Sequence, residues 1–177
     1  TPYSVRPYGT DQYPSVLGPS ELFTKAGFIF VYQDVRGRWM SEGKFVHMRP
    51  HLTTKTTKKQ IDESTDTWDT VQWLIDNISN HNVRVGIAGI SYPGFYTAAG
   101  IIDSHPAIKA ASPQAPVNDW FMGDDWHHNG AFFLAHAFNW MARNGRYRPE
   151  PTKNFPRVTF DYGTPDGYEF YSRIKTL

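Results

Sequence analysis

Apolar and polar positions alternate along the chain in blocks that predict a succession of helices and strands. A nearly continuous apolar and aromatic run from Gly27 to Gln33 is typical of a strand that is buried on both faces. The segment before it, residues 19–26, predicts a short helix that Gly27 ends. Residues 53–60 are polar and rich in Lys and Thr, which predicts a solvated loop.

The middle of the chain predicts alternating helices and strands. After the polar loop, apolar residues recur at helical spacing: Trp68, Val71, Ile75 and Ile78. Thr65 or Asp66 is available as the N-cap of this helix. A strand over residues 83–88, a helix from Pro93 to about Ile102 and a strand over residues 107–112 follow. This alternation indicates a parallel, doubly wound sheet and therefore an α/β fold.

The character of the sequence changes after about Asn118. Large apolar residues crowd the segment from Trp120 to Met141, where they circle the helix that we predict there. A helix that is apolar on all sides is buried or covers another part of the protein. Beyond Ala142 the chain reads as irregular until residues 168–171. We therefore expect residues 119–177 to begin a helical cap over the sheet.

Composition excludes several classes of function. The net charge is +1 and no basic run occurs, which argues against binding to nucleic acid or to an acidic membrane surface. The absence of cysteine removes disulfide bonds, thiolate nucleophiles and Cys-ligated zinc together. No apolar run approaches the ~20 residues that a membrane-spanning helix needs. Aromatic residues make up 16% of the chain, which excludes disorder.

The candidate chemistry centres on a serine between a predicted strand and a predicted helix. Residues 86–94 read Gly-Ile-Ala-Gly-Ile-Ser-Tyr-Pro-Gly, with Ser91 at the turn. In a nucleophile elbow the serine occupies a strained strand-to-helix turn, which small neighbouring residues permit. Gly89 stands two residues before the serine, whereas Pro93 replaces the glycine of the strict pattern and Gly94 follows it. Proline in the first turn removes only an unpaired N–H, so the elbow geometry survives.

The start of the predicted helix also supplies electrostatic stabilisation. A helix N-terminus directs partial positive charge at the Ser91 oxygen, and the backbone N–H of Tyr92 lies where an oxyanion needs a donor. The alternative is that Gly-x-Ser is an ordinary tight turn without chemistry. The preceding strand and the following helix favour a serine nucleophile.

Several short motifs occur together in this sequence, in a characteristic order and spacing. They are Gln-Asp-Val-Arg-Gly at 33–37, Ser-Glu-Gly at 41–43, Asp-Thr-Trp-Asp-Thr-Val at 66–71, Gly-x-Ser-Tyr-x-Gly at 89–94, Asp-x-His-Pro-Ala at 103–107 and Met-Gly-Asp-Asp-Trp at 122–126. With them the chain resembles the cocaine esterase / X-Pro dipeptidyl-peptidase (CocE/NonD) hydrolases. It resembles in particular the α-amino acid ester hydrolases and glutaryl-cephalosporin acylases, over roughly residues 1–137.

The resemblance implies an α/β-hydrolase fold, with residues 1–118 as part of the catalytic domain and residues 119–177 as the beginning of the cap. It implies a serine hydrolase that cleaves or transfers acyl groups of esters and activated amides, first of all α-amino acid esters and β-lactam side chains. A glutaryl acylase, a cocaine-type esterase and an X-Pro dipeptidyl-peptidase are alternatives within the family. An alternative from another class is a fragment that binds ligands without catalysis.

The resemblance also assigns roles to individual residues. Ser91 would be the nucleophile, while the Tyr92 backbone N–H and the Tyr3 hydroxyl would be the two oxyanion donors. Without the resemblance, Tyr3 reads as an ordinary loop tyrosine. Asp125 would bind the α-ammonium group of the substrate, because a carboxylate among aromatic residues is a good ammonium receptor. Asp124 would be structural, and either aspartate could instead cap a following helix.

The remaining members of a catalytic triad are expected outside this chain. In this fold the order is Ser, Asp, His, and none of the histidines after Ser91 suits the role of base: His105, His127, His128 and His136. We therefore expect the acid and the base beyond Leu177, and the chain to be an internal portion of a longer hydrolase. Asp34 and Arg36 resemble functional residues, but we expect them to form a buried ion pair that braces loops.

A metal site at Asp124, Asp125, His127 and His128 is a rival interpretation. Adjacent residues on one helix point about 100° apart, so the four side chains could not converge on one ion. With no Gly-rich phosphate loop either, we expect no metal and no cofactor. The expected partner is a small-molecule ester or amide substrate, and a homo-oligomer stays open. The resemblance favours a periplasmic or secreted protein.

Overall fold

A computed structural model describes residues 1–156 and 158–174 of the chain. Its contacts divide the chain into two units. The first contains Thr1–Pro116 with Glu150–Lys153, and the second contains Val117–Pro149 with the described residues from Asn154 onward. Residues 150–153 join the first unit partly through the Thr152 N–H, which donates to the Trp39 carbonyl at 2.8 Å. The assignment of a catalytic domain and a cap to the chain stays a prediction.

The first unit is built on a parallel β-α-β arrangement. Its elements in chain order are α1 (Glu21–Lys25), α2 (Glu63–Asn77), β1 (Val85–Ile90), α3 (Tyr92–Gly100) and β2 (Ile108–Gln114). Strands β1 and β2 pair in parallel, from Gly86 opposite Ala110 to Ile90 opposite Gln114. Helix α3 connects them and packs on both strands and on α2. The predicted α/β class, with a parallel sheet and flanking helices, is confirmed.

Helix α1 forms where the sequence predicts it, between residues that begin and end a helix. The side chain of Ser20 accepts a hydrogen bond from the Leu22 N–H at the N-cap. Gly27 follows the C-cap with φ +77°, a backbone conformation that residues with a Cβ rarely adopt. The helix therefore ends at the position that the glycine marks.

Helix α2 begins earlier than predicted. Its N-cap is Asp62, so the expectation of Thr65 or Asp66 at that position is wrong. Asp62 Oδ1 accepts from the Thr65 N–H at 2.9 Å, and Thr65 Oγ1 accepts from the Asp62 N–H at 2.9 Å. This reciprocal pair is a capping box, in which Thr65 is the third helical residue rather than the cap. Asp66 is inside the helix and pairs with Arg36 instead.

The carboxylate of Asp62 also ties the preceding loop to the start of α2. Asp62 is fully buried, and its Oδ2 accepts from the Leu52 N–H and lies 2.9 Å from the Lys55 ammonium nitrogen. Burial alone would raise the pKa of this carboxyl, but the two backbone N–H donors and Lys55 outweigh it and lower the pKa to about 2. His51 lies 3.2 Å from the same oxygen. The loop and the helix are thus joined through one buried charge.

The apolar run from Gly27 to Gln33 does not form a strand in the described part of the chain, contrary to prediction. Phe28 and Ile29 are about half exposed, as are Val31 and Tyr32. A strand needs a hydrogen-bonded neighbour, and among the described residues no strand pairs with this run. The apolar composition of this run indicated a strand. Strand pairing also requires a second segment of backbone to hydrogen-bond with, which the composition of the run does not supply.

The second unit is less helical than the sequence predicts. Strands β3 (His127–His128) and β4 (Ala131–Phe132) form a short antiparallel hairpin, followed by α4 (Leu134–Asn144) and α5 (Gly167–Ile174). The predicted helix from Trp120 is therefore wrong up to Phe133. The cause is the Asn129-Gly130 turn, whose φ values of 49° and 81° suit a tight hairpin and end any helix.

Helices α4 and α5 meet at an aromatic cluster in the second unit. Phe138 of α4 lies edge-on to Phe160, Phe170 and Tyr171, with ring centroids 5.4, 5.9 and 5.7 Å apart. Such edge-to-face pairs add to the stabilisation from buried area. Within the described residues, no helix has the length and apolar character needed to cross a membrane.

The buried cap at Asp62 predicts a stability defect that depends on pH. In Asp62→Asn the single amide oxygen can accept only one of the two backbone N–H bonds, and the charge that faces Lys55 is lost. Because the folded pKa of about 2 lies below the ordinary 3.8, the carboxylate stabilises the fold above pH 3.8 and loses this effect as pH falls through about 2. We expect Asp62→Asn to lower the free energy of unfolding at pH 7 by about 2 kcal/mol, measured by urea denaturation.

The control is Asp76→Asn, which removes the same charge from the exposed end of α2. Asp76 accepts a bond from the Gln72 side chain in solvent, so its loss should change the free energy of unfolding by less than about 0.5 kcal/mol. The difference between the two variants should shrink towards acid pH. Equal stabilities of the two variants at pH 7 would contradict the role given to Asp62.

Candidate active site

Ser91 occupies a strained turn between β1 and α3. Its φ of 62° and ψ of −123° lie outside the regions that residues with a side chain usually adopt. The Ser91 N–H donates to the Gln114 carbonyl at 2.9 Å, and the Ser91 carbonyl accepts from the Phe95 N–H at 3.0 Å. The strand ladder thus holds the residue on one side and the first helical turn holds it on the other. This is the geometry of a nucleophile elbow.

Two glycines permit the tight approach of helix to strands at this turn. A Cβ on Gly89 would lie 2.2 Å from the Pro93 carbonyl oxygen, and a Cβ on Gly94 would lie 2.5 Å from the Gln114 carbonyl oxygen. Both distances are shorter than any tolerated contact, so neither position accepts a side chain without movement of the backbone. Pro93 lies in the first turn of α3, where its missing N–H costs nothing.

The side chains of the two residues that we predict to supply oxyanion donors pack against each other. Tyr92 is the first residue of α3, so its N–H belongs to the group that has no acceptor within the helix. The ring of Tyr3 packs edge-on against the ring of Tyr92, with centroids 6.1 Å apart. Tyr3 is 40% exposed. The residue from the start of the chain therefore lies beside the residue that follows Ser91.

The side chain of Tyr92 is buried and anchored. Only 2% of the residue is exposed, and its ring stacks on Tyr96 at 5.3 Å. The hydroxyl lies 3.0 Å from Nδ1 of His47 and accepts from the Met48 N–H at 3.2 Å. Burial raises the pKa of Tyr92 to about 12. His47 was not predicted from the sequence, because its partner Tyr92 is 45 positions away and leaves no local signal near His47.

The predicted ion pair between Asp34 and Arg36 is wrong. Arg36 instead binds Asp66 of α2 through two nitrogens, with Nη2 2.6 Å and Nε 2.9 Å from its carboxylate oxygens. Asp34 is buried and accepts from the Tyr8 hydroxyl at 2.6 Å. The planar guanidinium fits the two oxygens of a carboxylate presented by a helix, which explains the choice of partner. Both residues still brace loops, but with different partners.

Asp125 lies in the second unit, in the turn before the hairpin. Its N–H donates to Asp124 Oδ1 at 2.6 Å, and the Asp124 N–H donates to the His127 carbonyl at 3.1 Å. Burial raises the pKa of Asp124, whereas Asp125 is exposed. The next helix begins at Leu134, so the alternative that either aspartate caps a following helix is wrong. Asp124 has a structural role in the turn.

The histidines after Ser91 make local contacts. His105 is buried, accepts from the Ala107 N–H at Nδ1 and lies 3.1 Å from the Gln72 amide oxygen through Nε2. His127 Nδ1 lies 2.5 Å from the Trp120 carbonyl oxygen. The other two pack beside aromatic rings, His128 beside Phe133 and His136 beside Trp126. A triad base beyond Leu177 stays a prediction.

The structure offers no ligand set for the metal site considered at residues 124–128. In the part of the chain that the structure describes, no group of three or more His, Asp or Glu side chains is placed to hold a metal ion. These residues belong to a turn and a hairpin strand rather than to one helix.

The crowding at Gly89 predicts a local defect at the elbow. We expect Gly89→Ala to destabilise the protein by about 1–3 kcal/mol, because the added methyl group meets the Pro93 carbonyl and forces the turn apart. Thermal unfolding measures this loss. The matched control on the same strand is Gly86→Ala, whose Cβ meets only the Ala110 carbonyl at 3.9 Å. If both variants unfold at the same temperature, the tight approach at the elbow is not a constraint.

Comparisons with known proteins address the family of the chain. The family model for X-Pro dipeptidyl-peptidase (S15 family) matches residues 1–160. The cocaine esterase of Rhodococcus sp. (strain MB1 Bresler) is 28% identical over 144 residues. That match covers 77% of this chain and 23% of the esterase, so the chain spans about a quarter of the length of this curated relative.

Two solved structures are also similar to this chain. An aminopeptidase from the marine sediment archaeon Thaumarchaeota archaeon is 38% identical with a TM-score of 0.69, over 86% of this chain and 24% of that protein. An α-amino acid ester hydrolase, solved with selenomethionine, is 34% identical with a TM-score of 0.70, over 92% of this chain and 27% of that protein. The chain therefore belongs to the X-Pro dipeptidyl-peptidase (S15) family and has the α/β-hydrolase type of fold.

Proposed function

We propose that the protein is a serine hydrolase of esterase or acylase type, with Ser91 as its nucleophile. The observation that carries this proposal is the strained backbone of Ser91 at the junction of β1 and α3, with the start of a helix directly behind it. The names of the relatives support the reaction class, since they are an esterase, an ester hydrolase and an aminopeptidase.

In the proposed reaction the Ser91 oxygen attacks the carbonyl carbon of an ester or activated amide. The hydroxyl proton passes to a general base, and the carbonyl oxygen becomes an oxyanion. Collapse breaks the bond to the leaving group, which takes up the proton and departs. Water then attacks the acyl-enzyme, which releases the carboxylic acid and restores the Ser91 hydroxyl.

Two donors would stabilise the oxyanion in this proposal. The Tyr92 N–H points from the first residue of α3, where the helix dipole adds partial positive charge. The Tyr3 hydroxyl would supply the second bond, which is supported by the packing of its ring against Tyr92. Both bonds strengthen as charge develops on the oxygen, so they act on the transition state more than on the bound substrate.

Asp125 would select substrates with an α-amino group. A carboxylate attracts an ammonium group, and the relatives include an ester hydrolase of α-amino acids and an aminopeptidase. Substrates of both kinds carry an amino group on the carbon next to the scissile carbonyl. We therefore propose α-amino acid esters and β-lactam side chains as the first substrate class. An X-Pro dipeptidyl-peptidase, favoured by the family match, is the second candidate.

The nucleophile is tested with a fluorophosphonate probe, which phosphonylates activated serines. We expect one label on Ser91 in the intact protein, mapped by mass spectrometry of its peptides, and no label in Ser91→Ala. The control Ser104→Ala removes a hydroxyl that bonds to the neighbouring His105 carbonyl, and it should label at the wild-type rate. A label on another residue, or none, would contradict Ser91 as the nucleophile.

The role of Asp125 predicts a loss of substrate preference. We expect Asp125→Asn to lower kcat/KM for phenylglycine methyl ester by about 10–100-fold, mainly through KM, because a charge-assisted bond contributes about 1.5–3 kcal/mol. Hydrolysis of the des-amino analogue, phenylacetic acid methyl ester, should change little. The matched control is Asp124→Asn, whose amide oxygen can still accept the Asp125 N–H. An unchanged ratio between the two esters in Asp125→Asn would exclude the ammonium-binding role.

A further inference from the structure

The hydroxyl of Tyr92 is held by a loop from a distant part of the sequence. Residues 45–48 bring His47 and Met48 to this hydroxyl, which lies 3.0 Å from His47 Nδ1 and 3.2 Å from the Met48 nitrogen. The contact spans 45 residues of sequence and ends on the residue that follows Ser91. A side chain at the start of α3 is thus fixed from outside the helix.

The direction of the Met48 bond is fixed by chemistry, whereas that of the His47 bond depends on the tautomer of the imidazole. The Met48 N–H can only donate, so the Tyr92 oxygen is its acceptor. The hydroxyl proton of Tyr92 is then available to His47 Nδ1, which accepts in the neutral tautomer that carries its proton on Nε2. In the other tautomer, Nδ1–H can donate to the second lone pair of the Tyr92 oxygen, so either tautomer of His47 can bond to this hydroxyl.

His47 is itself held in place by rings and charges around it. Phe45 packs edge-on against the imidazole, with centroids 4.5 Å apart, and the Arg38 guanidinium lies over the Phe45 ring at 4.9 Å. The imidazole lies nearly parallel to the Tyr92 ring, at an angle of 22°. Tyr3 contacts the Tyr92 ring as well, edge-on at 82°. The first side chain of α3 is thus packed between rings from two other segments.

We propose that His47 is a positioning residue for the oxyanion donor. By binding the Tyr92 hydroxyl, His47 fixes the residue whose backbone N–H directs its proton at the developing charge. His47 does not touch the substrate and acts only through Tyr92. The inference rests on the proposed function, since the Tyr92 N–H meets an oxyanion only if Ser91 is the nucleophile. A small displacement of such a donor costs rate rather than binding.

The test compares His47→Ala with His47→Asn in the intact protein. Asparagine places an amide oxygen near the position of Nδ1, so it can still accept the Tyr92 proton, whereas alanine cannot. We expect His47→Ala to lower kcat for an ester substrate by about 10–100-fold with KM changed less than about threefold. His47→Asn should recover most of kcat. The rate of fluorophosphonate labelling at Ser91 should follow kcat, because the probe's phosphoryl oxygen uses the same donors.

A matched histidine distinguishes positioning from general structural support. His81 lies 2.9 Å from the Ile75 carbonyl and accepts from the Val83 N–H, so His81→Ala removes another bonded imidazole from the same unit. Its kcat should stay within about twofold of wild type. The melting temperature is recorded for all three variants. If His47→Ala does not fold, the kcat and labelling rate of His47→Asn decide the test alone. A fall in kcat of His47→Asn as large as that expected for His47→Ala would overturn the inference.

The outcomes separate this inference from the proposed function. Wild-type protein without a label at Ser91 would refute the proposed function and, with it, the role of His47. Labelling of Ser91 in wild type and at the same rate in His47→Ala would refute the positioning role alone. A lower melting temperature without rescue of kcat by asparagine would assign His47 to folding and also overturn the inference.

Discussion

The close approach of α3 to the carboxyl ends of β1 and β2 is the constraint on which the site depends. Gly94 brings the helix backbone so near the Gln114 carbonyl that a Cβ would lie 2.5 Å from its oxygen. The chain must therefore turn from strand to helix within one residue, and Ser91 adopts φ 62° to do so. Such a conformation persists only where its surroundings over-determine it. Here the ladder bond to Gln114 and the bond from Phe95 fulfil that condition.

The far end of α3 is constrained as well. A Cβ on Gly100 would lie 2.6 Å from Thr67 Oγ1, so the last turn of α3 packs directly on α2. The start of α2 is fixed in turn by the buried Asp62 and by the bidentate contact of Asp66 with Arg36. Charged groups distant from Ser91 therefore support the helix whose first N–H would serve the chemistry. A site on elements held in this way keeps its geometry better than a site on a loop.

Predictions from the sequence succeeded where the signal is local. Strand, glycine, serine, proline and helix follow one another within residues 85–100, and each residue restricts the backbone of its neighbours, so the elbow could be predicted without a structure. Predictions failed where a partner had to be chosen from a distance. Either Asp34 or Asp66 could pair with Arg36. Only the folded chain shows that Asp66 of α2 places its carboxylate where the guanidinium can bind both oxygens.

Two further failures have different physical causes. The apolar run 27–33 has the local pattern of a strand. A strand also needs a neighbouring strand to hydrogen-bond with, and the pattern within the run does not reveal whether one is present. In the second unit the local signal was present, since Asn129-Gly130 is a strong hairpin sequence, but the surrounding aromatic residues suggested a helix. His47 shows a third limit, because nothing near it in sequence points to Tyr92.

In the proposed reaction, some candidate residues bind the substrate before attack, and others form their bonds only in the transition state. An ammonium group bound by Asp125 is charged before, during and after attack, so this pair stabilises substrate and transition state alike and is expressed in KM. The Tyr92 N–H and the Tyr3 hydroxyl would bind a charge that grows only during attack, so loss of either bond would lower kcat. Under this proposal the chemistry would depend on the α3 N-terminus, while the substrate would be chosen by side chains outside it. A change of such side chains with the β1–α3 turn kept would then alter the substrate without rebuilding the catalytic geometry.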